Sequence, residues 1–94
     1  MELTFATAAT SMDQLRAALD AALQKQFPGG MLQRRWDGDV LRLSGPGADG
    51  RVVLENGQLV GRADLKPPAS MMRPVIEEKM STALRAAAES MPAA

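Results

Sequence analysis

Apolar residues recur every three or four positions from Met12 to Phe27, every second position between Met31 and Leu65, and every three or four again from Met72 to Met91. The outer periods put apolar side chains on one stripe of a helix, and the middle one puts them on one face of a strand. None of these surfaces can be buried alone. The switch from period 3.6 to period 2 and back therefore demands two helices packed on a sheet.

The first helix is expected over residues 11–27. Met12, Leu15, Leu19, Ala22, Leu23 and Phe27 form its stripe, while Asp13, Arg16, Asp20 and Gln24 fall elsewhere. Ser11-Met12-Asp13-Gln14 has the form of a capping box, in which the serine hydroxyl accepts a helix amide and Gln14 reaches back to the serine amide. Pro28-Gly29-Gly30 ends it.

Within residues 31–65, Leu41 and Leu43, Val52 and Leu54, and Leu59, Ala63 and Leu65 share parity and mark the core face. Asp37-Gly38-Asp39 and Asn56-Gly57 are turn sequences, the second the strongest short hairpin signal. Ser44 to Gly50 reads as a longer connection. These segments predict a four-stranded antiparallel meander. Lys66-Pro67-Pro68-Ala69-Ser70 is a proline-rich link over 66–70, because consecutive prolines cannot donate to a ladder.

A second helix is expected over 71–90, its stripe formed by Met72, Val75, Ile76, Met80, Ala83, Leu84, Ala87 and Met91. Pro74 fits only its first turn, and Met91 to Ala94 should fray. Residues 1–10 hold Glu2-Leu3-Thr4-Phe5-Ala6, whose alternation suits a short extra edge strand or else a loose arm. The expectation is one domain over 1–94, an α+β two-layer sandwich of order α-ββββ-α with both helices on one face of the sheet.

Composition narrows function by exclusion. With 46% hydrophobic and 23% charged residues the chain belongs among folded globules. It has no cysteine and no histidine, so a triad, a thiol nucleophile and the usual zinc sites cannot be built. We expect no cofactor, no metal and no catalytic residue. Eleven basic and eleven acidic residues cancel, which argues against bulk attraction to nucleic acid. No signal sequence or apolar span is legible, so a cytoplasmic protein without a transmembrane segment is expected.

The remaining carboxylate pairs have plain roles. Asp37 and Asp39 beside Gly38 favour a turn, and Glu77 with Glu78 suits a solvated helix face. Gly45-Pro46-Gly47-Ala48-Asp49-Gly50 lacks the lysine and hydroxyl of a phosphate loop.

Surfaces are more informative. Opposite the leucines the strands present Arg42, Arg51 and Arg62 among Val53, Glu55, Val60 and Asp64, with Arg35 joining if in register. Such a group can grip a phosphate or carboxylate; the plainer alternative is a solvated face neutralised by Glu55 and Asp64. Trp36 either caps the core or anchors a partner. Met71, Met72, Met80 and Met91 serve either packing or adaptable apolar contact, with Met71 and Met72 at the start of the helix.

Arg35-Trp36-Asp37-Gly38-Asp39-Val40-Leu41, then Gly50 before a short strand, then Ala63-Asp64-Leu65 before a final amphipathic helix, resembles the polyhydroxyalkanoic acid system protein family. These are small bacterial proteins associated with polyester storage granules. The resemblance runs from the first helix to about Ala88. It implies a cytoplasmic accessory protein that touches the granule surface or its proteins, and it transfers no catalytic residue. Members often carry a histidine just before the first helix, which this chain lacks.

The leading expectation is a noncatalytic interaction protein whose candidate surface comprises Arg42, Arg51, Arg62, Trp36, Met71 and Met72, with self-association into a homodimer through an open face or edge. The alternative is a small carrier of an apolar ligand, its pocket lined by Leu41, Leu43, Leu54, Leu59, Met80 and Leu84. An enzyme built on Asp39, Asp64 or the arginines is the weakest reading and would require a cleft that gathers them.

Overall fold

In a computed structural model describing residues 1–29 and 32–90, the chain runs β1 (Glu2–Ala6), α1 (Arg16–Gln26), β2 (Gln33–Asp37), β3 (Val40–Gly45), β4 (Ala48–Glu55), β5 (Gln58–Leu65) and α2 (Arg73–Ala88). The expected roles of Gly30, Met31 and Met91 to Ala94 lie outside the described residues. All strand pairs are antiparallel in the order β1-β5-β4-β3-β2. The α+β architecture is as expected, but the sheet has five strands rather than four. Glu2 to Ala6 pairs with Arg62 to Gln58, so the N-terminal segment is an edge strand and not an arm.

Both helices cover the leucine face. Leu15, Leu19 and Leu23 from α1 and its preceding turn, Leu84 from α2, and Leu41, Val52 and Leu59 from the sheet have no solvent exposure and form the centre of the core. Leu54, Ala63 and Leu65 lie on the same face but are half-buried. Across the sheet, the register aligns Leu3, Gly61, Val52, Leu41 and Trp36 in one inward row.

The local details differ from expectation in three places. Each helix is preceded by a 3-10 turn, Met12–Gln14 before α1 and Ala69–Met72 before α2. Ser11 makes no capping hydrogen bond; instead the Gln14 side-chain oxygen accepts from the Thr10 amide at 2.7 Å. The reach-back survives, displaced by one residue.

The supposed long connection at 44–50 is a tight turn at Pro46-Gly47, with Ser44 and Gly45 in β3 and Ala48 to Gly50 in β4. Gly47 has φ +74°, and an added Cβ would collide with the Lys66 carbonyl oxygen. Its own carbonyl accepts from the Lys66 amide at 2.6 Å, fastening the proline-rich link to this turn. The Asn56-Gly57 hairpin is as expected, with φ of 50° and 74° at the two residues.

Candidate functional site

The sheet's outer face carries a transverse row of like charge. Arg35 stands opposite Arg42, Arg42 opposite Arg51, and Arg51 opposite Arg62, with Glu2 closing the row on β1. At about 4.8 Å between strands, four arginines span about 14 Å. Arg62 donates to Glu2 at 2.8 Å and to Glu55 at 3.2 Å. Those bonds, Glu55 first and Glu2 second, raise its pKa above the already high ordinary value. The guanidinium therefore stays charged, and its pairs with the glutamates hold, throughout the neutral range. They weaken from the arginine side only as pH rises through that elevated value.

Arg42 lies 3.5 Å from Asp37. Among the described residues, Arg35 and Arg51 have no ion-pair partner. The next row along the face places Asp64 opposite Asp49, and Arg42, Arg51, Arg62, Asp49 and Asp64 border an open polar hollow of about 490 Å³. Asp39 is not among the residues lining it. Local acids thus offset much of the positive row.

Trp36 lies on the other side of the sheet. Its indole N–H donates to both Asp20 carboxylate oxygens, at 3.2 and 3.3 Å, and the Arg16 guanidinium sits 4.3 Å from the ring centroid. Half-buried against the core, it joins β2 to α1 and is separated by the sheet from the arginines.

Met71 and Met72 occupy a third position, the turn that leads into α2. They are 80% and 54% exposed, and Val75, 44% exposed, continues the patch. Beside them an apolar groove of about 440 Å³ opens where α1 ends, α2 begins and the sheet terminates. Phe27, Leu43, Leu65, Met72, Ile76 and Met80 contribute to its walls.

Of the residues expected to line a carrier pocket, only Leu43 and Met80 do so. Leu41, Leu59 and Leu84 are sealed in the core, and Leu54 does not line the groove. Sequence reasoning missed Phe27, Leu65, Val75, Ile76 and Lys79. The available signal was that Pro28 and the Pro67-Pro68 link interrupt elements at what becomes one end of the molecule.

Among the described residues, no helix is long and apolar enough to cross a membrane. A family model described as "Putative polyhydroxyalkanoic acid system protein" matches residues 2–87. No curated protein and no solved structure matches the chain.

Proposed function

Because the chain belongs to the polyhydroxyalkanoic acid system protein family across residues 2–87, we propose that it is a noncatalytic cytoplasmic accessory protein that docks on the polyester storage granule or its surface proteins. The observation carrying this reading is the juxtaposition of exposed Met71, Met72 and Val75 with an apolar groove. Contiguous apolar surface of this kind is costly to leave in water and marks contact sites. Methionine adapts its shape to an irregular apolar partner, as a polymer surface requires.

Co-sedimentation tests the reading: the purified chain should pellet with native granules or with protein-free polyester particles. A chain that stays in the supernatant with both would remove it. The outer sheet face and the β1 edge also leave room for a second copy. Light scattering that returns a single-chain mass at high concentration would count against that dimer.

A second reading is favoured by the groove's volume. At about 440 Å³ it falls within the range of about 300–1,000 Å³ typical of small-molecule sites, which suits a carrier of an apolar ligand. The pocket would be this open groove rather than the sealed core.

A further inference from the structure

Lys79 of α2 is the lining residue of the groove with a cationic side chain, and Met1, whose α-ammonium donates to the Ala63 carbonyl at 3.0 Å, and Asp49 line it as well. Lys79 is half-buried and donates from Nζ to the Gln26 carbonyl at 3.2 Å. That carbonyl ends α1, where the helix dipole favours a positive charge. The bond occupies one of the ammonium's three donors. Among the described residues no carboxylate pairs with Lys79. Among the described residues this ammonium thus has a helix-end contact and no ion-paired carboxylate, with Asp49 elsewhere along the groove's lining.

We propose, resting on the second reading of the groove, that it binds a single hydroxyalkanoic acid, with the apolar chain against Phe27, Leu43, Leu65 and Ile76 and the carboxylate on Lys79. Such an acid carries both required parts, an alkyl chain for the walls and an anion for the rim. It is also the repeating unit of the polyhydroxyalkanoic acid for which the matched family is named. A neutral chain would fill the walls but leave the ammonium unmatched. A short anion would do the reverse.

Calorimetry on the full chain tests this with hydroxybutyrate, hydroxyhexanoate, hydroxyoctanoate and hydroxydecanoate, and with the methyl ester of the last. Affinity for the acids should rise about fourfold per methylene, the equivalent of about 0.8 kcal/mol per buried CH₂. Lys79→Met should weaken hydroxydecanoate binding about tenfold or more and leave the ester unchanged, since only the acid's carboxylate loses a charge-assisted hydrogen bond. Lys79→Gln provides a second variant, with Trp36 emission confirming the fold of each.

Ester and acid binding equally, with Lys79→Met affecting both or neither, would overturn the carboxylate assignment while leaving the carrier reading intact. Absence of binding by every ligand would overturn both. Graded acid binding that Lys79→Met selectively weakens would support the proposal.

Discussion

Asp20 ties α1 to β2, accepting from the Trp36 indole at 3.2 Å and lying 3.4 Å from the Arg34 guanidinium. Asp20→Ala removes the indole's acceptor and one Arg34 partner, although Gln24 still accepts from Arg34 at 3.2 Å. The expected loss is about 1–2 kcal/mol, the scale for a partly buried donor left unmatched. Asp20→Asn retains an acceptor and should cost less than half as much. Urea unfolding followed by the emission of this sole tryptophan measures both; an unchanged midpoint in Asp20→Ala would refute the tie. The two possible roles of Trp36 were legible in the sequence, but the acceptor that selects between them was not. Asp20 is off the apolar stripe of α1 and resembles any solvated helix residue until β2 is placed beside it. Similarly, Thr10 and Ser11 both offer the chemistry of a helix start, and the backbone path brings the Thr10 amide to Gln14.

The sheet comes close to α2 at Gly61, where an added Cβ would lie 2.6 Å from Leu84 Cδ1. Gly61→Val should destabilise by about 1–3 kcal/mol through overpacking, and Leu84→Ala by about 2–5 kcal/mol through a cavity. The double variant should cost less than their sum, because the new valine enters the space vacated by the leucine. A double-mutant cycle by denaturant unfolding should give coupling of about 0.5–3 kcal/mol; strict additivity would mean that the two residues do not share that space. At this scale the sequence reveals elements whose signals are local. Both helices and the Asn56-Gly57 hairpin announce themselves through periodicity and turn chemistry. β1 does so only weakly, because its partner lies some 60 residues away, Glu2 pairing with Arg62. The start of β4 is hidden for a related reason. Ala48, Asp49 and Gly50 have poor strand propensity, yet β3 and β5 hold them from both sides.

The molecule presents two surfaces of different character, and the sequence revealed their ingredients more clearly than their positions. Parity put Arg42, Arg51 and Arg62 on one face, and the register adds that they form a row with Arg35. The groove was not legible because its walls come from the ends of elements, where periodicity fades. Ionic strength distinguishes which surface docks. The chain has no net charge, and long-range pairing by the arginine face would be screened at about 1 M salt, where the Debye length is about 3 Å. Apolar docking lacks that sensitivity. Granule co-sedimentation should therefore persist at high salt and in the Arg42→Ala/Arg51→Ala variant. It should fall about tenfold or more in Met71→Glu/Met72→Glu/Val75→Glu, since burying even one such side chain is worth about 1.5–3 kcal/mol. These three residues are exposed, so the triple variant should keep its unfolding free energy within about 0.5 kcal/mol per substitution. Retained stability with lost co-sedimentation would assign docking to the apolar end. The opposite salt response, with binding lost at 1 M and in the arginine variant, would transfer it to the sheet face.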